Sequence, residues 1–209
     1  MTEADAPPAS QQAPPEFGAQ RLLLVGTGAL VVSSLPFWLN WLRITYPALK
    51  LRLVITRSAE RFVSREALTA ISGRTVQLDT WPDEPTPSAR HVELAEWAEA
   101  IAIYPATLHF VSRFALGLAD TPTLLALQCT QVPIGLAPAL PPNAERFSNY
   151  RSHVAMLQEH PNVVVLPPHA TRSATTRRVE ESVAPAPLSE LLQHIERLRQ
   201  APGEPVEKP

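Results

Sequence analysis

Several hydroxyl and imidazole side chains stand where this chain could hold a phosphate or move a proton. GTGAL, residues 26–30, places two glycines and a hydroxyl where a buried strand gives way to a helix. Such a turn approaches an anionic phosphate closely, and the following helix adds free N–H donors. The pattern is neither G-x-G-x-x-G nor a P-loop, so it indicates neither a dinucleotide nor a nucleoside triphosphate. A simple tight turn explains it equally well.

A second hydroxyl pair lies in TRSAERF, residues 56–62. Thr56 and Ser58 can donate hydrogen bonds to the same phosphate, and Ser58 is also placed to cap a helix predicted from Ala59. Taken alone, a plain helix cap is the simpler interpretation.

His91 is a candidate proton acceptor. It follows a proline-rich loop and begins the amphipathic segment HVELAEWA. The positive end of a helix disfavours a charged imidazolium, which predicts a neutral imidazole that is able to accept a proton. A purely structural histidine is the alternative.

The stretch YPATLHF, Tyr104–Phe110, ends another apolar run. Ala106 and Thr107 are small enough for a flat ring to lie against the backbone, and His109 adds an imidazole. The fifth apolar run continues into the proline-rich sequence APALPPNAERF, residues 137–147. We expect this segment to form an irregular loop over the site.

Composition excludes several classes of protein. The 209 residues carry a net charge of −2, so no basic surface for nucleic acid is indicated. Cys129 is the single cysteine, which rules out an internal disulfide framework and fits a cytoplasmic protein. The apolar stretch 22–42 is interrupted by glycines, serines, Pro36 and Asn40, and therefore predicts a strand and a helix rather than a membrane span. No signal-peptide pattern is visible.

These candidates must be positioned by alternating strands and helices. Apolar runs predict strands at 21–28, 51–56, 76–78, 100–104, 134–137 and 163–166. Helical spacing lies between them, at 30–45, 59–72, 91–98, 108–118, 124–128 and 188–200. Continuous apolar strands that alternate with helices predict a parallel sheet covered on both faces, in an α/β fold of one domain. Ligands of such sheets bind beyond the carboxyl ends of the strands, where the candidate residues lie.

Composition also divides the chain. Residues 1–20 are rich in proline, alanine and glutamine and predict a disordered tail. Residues 21–170 form the predicted domain, 171–187 a mobile loop or substrate clamp, and 188–209 a terminal helix with a tail.

With these motifs in this order, the chain resembles the homo-oligomeric flavin-containing cysteine decarboxylases. That family includes phosphopantothenoylcysteine decarboxylase and the peptidyl-cysteine decarboxylases of lantibiotic-type peptide biosynthesis. The resemblance covers residues 21–168 and rests on GTGAL, VITRSAERFV, a tryptophan before HVELAEWAEAIAIYPAT, FALGLADTPTLLAL, VPIGLAPAL and NVVVLPP. It implies a flavodoxin-like (Rossmann-like) sheet and FMN bound between subunits of a homotrimer or of a homododecamer made of four trimers.

The resemblance also implies roles for individual residues. His91 falls on the active-site histidine of the family and is the implied catalytic base. The implied FMN contacts are Gly26, Thr27, Gly28, Ala29 and Ser58 around the phosphate and ribityl chain, Pro105, Ala106 and Thr107 beside the ring, and Gly117, Ala119 and Asp120 at a helix end. No metal is implied.

Two positions depart from the family pattern. His109 replaces the asparagine of the family's PASANT motif. Pro141 replaces a second asparagine that the family uses in decarboxylation, and proline has neither a side-chain amide nor a backbone N–H. Asn143 lies nearby and is a candidate substitute.

The chemistry implied by the resemblance is the oxidation of a cysteine by FMN. A base takes the thiol proton, hydride leaves the β-carbon, and the resulting thioaldehyde loses CO2 to give an enethiol. The pantothenate enzyme needs a late cysteine to continue, and none follows residue 163 here. This absence favours a precursor peptide with a C-terminal cysteine as the substrate, with Arg172 either in a clamp over its carboxylate or in a plain basic loop.

Three other functions remain open on the sequence alone. One is a phosphopantothenoylcysteine decarboxylase-like enzyme. Another is a flavin prenyltransferase-like enzyme, which the His91 helix and the AEAIAIYPAT block fit less well. The third is an FMN-binding regulatory subunit that has lost catalysis, an interpretation that the proline at position 141 supports.

Overall fold

The sheet of the computed structural model, which describes residues 14–172 and 179–201, has six parallel strands. Their order is β3-β2-β1-β4-β5-β6. The strands are β1 (Arg21–Gly26), β2 (Lys50–Ile55), β3 (Gln77–Leu78), β4 (Ala100–Thr107), β5 (Ile134–Ala139) and β6 (Val163–Val165). This doubly wound order confirms the predicted α/β fold.

Seven helices cover both faces of the sheet within the described ranges. They are α1 (Leu35–Thr45), α2 (Arg65–Ser72), α3 (Arg90–Trp97), α4 (Leu108–Ala115), α5 (Pro122–Cys129), α6 (Ser148–Gln158) and α7 (Leu188–Gln200). Leu22 and Leu24 of β1 pack in one hydrophobic cluster with α1, α2 and α7. Leu23 and Val25 pack in a second cluster with α3, α4, α5 and α6. Both faces of β1 are therefore buried, which explains its unbroken apolar sequence.

The strand order reverses between β1 and β4. The chain runs outward from β1 to β2 and β3, and then returns to place β4 on the other side of β1. The loops that follow β1 and β4 therefore leave the carboxyl edge of the sheet in opposite directions, and the crevice between them is the expected ligand site.

The helix predicted at 59–72 begins later than expected. A short 3-10 helix covers Ala59–Arg61, and α2 starts only at Arg65. Ser64, not Ser58, caps α2 by accepting a hydrogen bond from the N–H of Ala67 at 3.3 Å. Ser58 has helical backbone angles rather than the extended ones of a capping residue, so the predicted cap is wrong.

The helix predicted at 30–45 is also divided. Leu30–Ser34 forms a 3-10 helix, and α1 begins at Leu35 with Pro36 in its first turn. Proline suits that position because the N–H it lacks would have no partner inside the helix.

The segment predicted as the N-terminal tail is shorter than expected. Phe17 packs on Tyr46 with ring centroids 5.9 Å apart, and the N–H of Gly18 donates to Glu196 at 3.1 Å. Residues 14–20 are thus fixed to the domain, which corrects the boundary of the predicted tail. Residues 1–13, and 202–209 of the predicted C-terminal tail, lie outside the described residues.

Two strands occupy much of the segment predicted as a mobile loop. β7 (His169–Arg172) and β8 (Val179–Ala184) form an antiparallel pair, and residues 173–178 lie outside the described residues. The N–H of Leu140, just after β5, donates to the carbonyl of Val183 at 3.0 Å. The β7–β8 hairpin is therefore attached to the carboxyl edge of the sheet. Within the described ranges, no helix has both the length and the apolar character that crossing a membrane requires.

Candidate functional site

The loops after β1 and β4 are joined by the side chain of Thr27. Its hydroxyl donates to the carbonyl of Pro105 at 2.6 Å and accepts from the N–H of Thr107 at 2.8 Å. Thr27 is almost fully buried. Because the hydroxyl is already engaged, its contribution is to fix the shape of the two loops that enclose the crevice.

The loops after β1 and β2 meet at Gly28 and Ser58. A Cβ atom built on Gly28 would lie 2.6 Å from the Cβ of Ser58, closer than real contacts allow. Glycine is therefore required where the two loops touch. The hydroxyls of Ser58 and Thr56 lie 3.0 Å apart and form an exposed donor pair beside this contact. An anion at this point would meet both hydroxyls and the backbone of the first loop.

The end of β4 supplies a small, buried wall. Pro105 and Ala106 are buried, and the register against β5 shifts between Ile103 and Ala106. Thr107 caps α4, because its hydroxyl accepts from the N–H of Phe110 at 3.2 Å. His109 follows in the first turn of that helix and is exposed.

These strand ends enclose an open cavity of about 780 Å³, which we call the groove. Its wall is mostly apolar and includes the first 3-10 helix, the start of α4, the segment after β5 and the β7–β8 hairpin. The residues that line it are Gly28, Ala29, Leu30, Val31, Ser33, Ser58, Thr107, Leu108, His109, Ala139, Leu140, Pro141, Pro142, Thr171, Val183, Ala184 and Pro185. Five of the predicted site residues are among them, while Gly26, Thr27, Pro105 and Ala106 are buried in the strand ends.

His91 belongs to a separate group of side chains, which we call the His91 cluster: His91, Trp81, Arg113 and Asp120. The imidazole meets the Trp81 ring edge-on, with centroids 5.9 Å apart. The Trp81 indole N–H donates to the backbone carbonyl of Asp120 at 3.0 Å, and the Asp120 carboxylate pairs with Arg113 at 2.5 Å. His91 does not line the groove of its own chain.

The ring nitrogens of His91 lie in different surroundings. Nδ1 is buried and has no hydrogen-bond partner among the described residues. The imidazole is therefore oriented by its packing on Trp81 rather than by a hydrogen bond at Nδ1. Nε2 is left as the nitrogen that can exchange a proton with a bound molecule.

The helix-end segment GLAD joins the same cluster. Gly117 has φ +69°, a left-handed conformation that suits glycine, and it ends α4. The hydrogen bond from Arg113, helped by its charge and by that of His109, holds the pKa of Asp120 below its usual range. The segment Gly117, Ala119 and Asp120 does not line the groove, so the structure divides the predicted FMN contacts between two places.

The last two predicted contacts are Asn143 and Arg172. Asn143 adopts a left-handed φ of 68° at the start of the 3-10 helix Ala144–Arg146, and it is not among the residues that line the groove, whereas Pro141 and Pro142 are. Arg172 ends β7, and its side chain lies outside what the structure describes, although the neighbouring Thr171 lines the groove.

Trp81 and the hairpin residue Val183 were missed by the sequence analysis. The tryptophan before HVELAEWA contributed only to the resemblance, and no periodicity marked its contact with His91. Val183 lies in a stretch whose serine, threonine and arginine content predicted a loop.

The groove has the features that FMN requires. Its volume lies within the range of small-molecule sites, about 300–1,000 Å³. The hydroxyls of Ser33, Ser58 and Thr56 suit a phosphate, and the contact at Gly28 brings backbone close to it. The apolar wall at Leu30 and Leu140 suits a flat ring. The residues present therefore fit the cofactor that the sequence resemblance implies.

Comparison with known proteins gives the same result. The Flavoprotein family profile matches residues 11–198. Cypemycin cysteine dehydrogenase (decarboxylating) from a Streptomyces species is 32% identical over 166 residues, 79% of this chain and 86% of the relative. The crystal structure of the cypemycin decarboxylase CypD matches with a TM-score of 0.73 and 29% identity, covering 88% of this chain and 96% of CypD.

A shorter match is found to the coenzyme A biosynthesis bifunctional protein CoaBC from Haemophilus influenzae. It is 40% identical over 93 residues, which cover 44% of this chain but 23% of that protein. The family profile and the relative that matches most of the chain confirm the predicted family. The protein thus belongs to the Flavoprotein family, as a flavin-containing cysteine decarboxylase whose cofactor is FMN.

Proposed function

We propose that the protein catalyses the oxidative decarboxylation of a C-terminal peptidyl cysteine to an enethiol. The reaction would form an aminovinyl-cysteine-type group in a ribosomally made, modified peptide. The observation that carries the proposal is the continuity of the groove, which runs from the hydroxyl pair near Gly28 to Thr171 and Val183 of the hairpin. A cofactor bound at the strand ends would thus face an open, apolar channel with room for a peptide end.

The similarity to cypemycin cysteine dehydrogenase supports a peptide rather than a coenzyme A precursor. The position of the cysteine supports it as well. Cys129 ends α5, lies outside the groove, and is the single cysteine of the chain. No thiol is therefore available in the groove to protonate an enethiol, so the enethiol is the final product in this proposal.

FMN, when bound, accepts the two electrons and the hydrogen removed from the cysteine. The side chains of this protein supply binding and proton transfer. Ser58 and Thr56 hold the phosphate, the apolar wall at Leu140 and Pro141 keeps water from the reacting end, and His91 takes the thiol proton at Nε2.

Assembly would bring His91 to a groove. Apolar side chains are exposed both in the groove lining, at Leu30, and near the cluster, at Trp81, Val92 and Leu116. Two different exposed apolar patches favour a head-to-tail contact that closes into a ring. We place the His91 cluster of one subunit over the groove of the next in a homotrimer, with a dodecamer of four trimers as the larger form.

Mass spectrometry tests the proposed reaction. A peptide ending in cysteine should lose about 46 mass units, the sum of CO2 and two hydrogens, when incubated with the FMN-loaded protein. The same peptide ending in serine is the control and should not change. Loss of CO2 alone would contradict oxidation.

Pro141 in the groove supports one competing function, an FMN-binding subunit without catalysis. In that case no cysteine-terminated peptide would change mass, although FMN would remain bound.

A further inference from the structure

His109 is the one residue of the groove lining, as far as the structure describes it, whose side chain can carry a charge. The remaining lining residues have apolar side chains, no side chain, or the hydroxyls of Ser33, Ser58, Thr107 and Thr171. The imidazole stands in the first turn of α4 and is exposed to the groove. A negatively charged group that enters this groove therefore meets one imidazole among the uncharged lining side chains that the structure describes.

Arg113 and Asp120, the charged residues described on α4 and just after it, are paired with each other. Arg113 lies one helical turn further along α4, and its guanidinium is paired with the Asp120 carboxylate at 2.5 Å. Its side chain is also largely buried, at 15% exposure. Arg113 is thus committed to Asp120, and the Asp120–Arg113 pair adds little net charge at the groove.

The start of α4 strengthens an anion site at His109. Thr107 caps the N–H of Phe110, whereas the N–H groups of the first residues of a helix have no partner inside the helix. These groups and the helix dipole favour negative charge at this end. The imidazole and the helix start thus act on the same side of the groove.

Both departures from the family pattern lie in this groove. Pro141 offers no side-chain donor, and it lines the same wall as His109. The donor missing at position 141 and the imidazole gained at position 109 therefore face the same bound molecule. Asn143, another candidate donor, is not among the lining residues, and the side chain of the third candidate, Arg172, lies outside what the structure describes.

A peptide that ends in cysteine brings a carboxylate into the groove together with its thiol. A carboxylate placed against an apolar wall requires a hydrogen-bond donor, because its desolvation is otherwise costly. We propose that His109 donates that hydrogen bond to the α-carboxylate of the substrate, and that this contact selects a C-terminal cysteine over an internal one. The inference rests on the proposed function, since it requires a peptide end in the groove.

Binding of unreactive peptides tests this inference directly. Two labelled peptides of one sequence end in serine instead of cysteine, one as the free acid and the other as the amide, and their affinity for FMN-loaded protein is measured by fluorescence anisotropy. The wild-type protein should bind the acid about tenfold or more tightly, as a charge-assisted hydrogen bond requires. His109→Gln should bind the amide normally and bring the two affinities to within about twofold. His160→Gln, at an exposed histidine outside the groove, should keep the full preference.

Each other outcome has a distinct meaning. An unchanged preference in His109→Gln overturns the inference, as does a preference that is lost in Arg172→Gln but not in His109→Gln. If the His109 variant still converts the cysteine peptide but retains the acid preference, only the role of His109 fails. If the wild-type protein binds neither peptide and converts no cysteine peptide, the proposed function fails and takes the inference with it.

Discussion

The groove and the His91 cluster are built in opposite ways. The groove is formed where short loops leave neighbouring strands, so small residues and backbone create its shape, as at Gly28 and Ser58. The cluster is formed by large side chains from three separate segments, which meet through Trp81. One place is suited to bind a cofactor, and the other is suited to hold a proton-transfer group.

Under the proposed function, this difference assigns cofactor binding and proton transfer to separate regions of the fold. Binding of a phosphate and a flat ring needs close approach of backbone, which the carboxyl ends of parallel strands provide. Orientation of an imidazole needs rigid neighbours, which the Trp81 ring and its hydrogen bond to the Asp120 carbonyl provide. Substitutions in the two regions should therefore affect turnover and FMN affinity separately.

Replacement of the proposed base should have the largest effect. His91→Asn keeps a side chain of similar size that cannot accept the thiol proton. We expect turnover of a cysteine-terminated peptide to fall about 100-fold or more, while FMN affinity stays unchanged. Mass spectrometry measures turnover, and titration of apoprotein with FMN measures affinity. Glu96→Gln, at an exposed residue of the same helix α3, is the control. Equal losses of FMN affinity and turnover would place His91 in cofactor binding instead.

Loss of the ring that orients His91 should have the next largest effect. Trp81→Leu removes both the edge contact with the imidazole and the hydrogen bond to the Asp120 carbonyl. We expect turnover to fall about tenfold or more with little change in FMN affinity, because a misplaced catalytic group loses much of its effect. Trp81→Phe keeps an aromatic ring and should retain more activity than Trp81→Leu. Wild-type turnover in Trp81→Leu would show that His91 is positioned by other contacts.

The success of prediction from the sequence also differs between the groove and the His91 cluster. Apolar runs placed all six strands of the sheet, and the terminal helix 188–200 was predicted with the bounds the structure shows. The rule that ligands bind beyond the carboxyl ends of parallel strands then pointed to Gly28, Ser58, Thr107 and His109, which line the groove. Local patterns sufficed here because each of these residues stands at the end of a predicted strand or a few residues after it.

The remaining features depend on contacts between distant segments. Nothing in the local pattern relates Trp81 to Asp120, which is 39 residues away in the chain. The β7–β8 hairpin was predicted as a loop because its stretch is rich in serine, threonine, arginine and proline. Its attachment to the sheet is through the backbone of Val183 and Leu140. The helix cap was assigned to Ser58 because local composition does not distinguish the 3-10 helix Ala59–Arg61 from the first turn of α2. The residue that caps α2 is Ser64, which follows the 3-10 helix.

Two serines near the end of β2 test the binding role of the groove. Ser58→Ala removes a hydroxyl from the proposed phosphate contact, and we expect FMN affinity to fall about threefold to tenfold with little loss of stability. Ser64→Ala, the matched control, removes the cap of α2 and should lower the free energy of unfolding by about 1 kcal/mol without changing FMN affinity. FMN titration and urea unfolding of both variants measure the two effects. The reverse pattern would mean that Ser58 has a structural role and that no phosphate lies beside it.

The smallest effect is expected from the ion pair beside the His91 cluster. Arg113 lowers the pKa of Asp120 in the folded protein, so the pair stabilises the fold above the unfolded-state pKa of about 3.9. That stabilisation is lost as the pH falls through the lower folded value. The Asp120 side chain is 57% exposed, which limits the effect to a few tenths of a kcal/mol. Asp120→Asn should therefore lower the unfolding free energy slightly at pH 7, and the difference from wild type should vanish once the pH lies below both the unfolded and the lower folded pKa of Asp120. A difference that persists at low pH would show that the Asp120 side chain stabilises the cluster by packing or hydrogen bonding rather than by its charge.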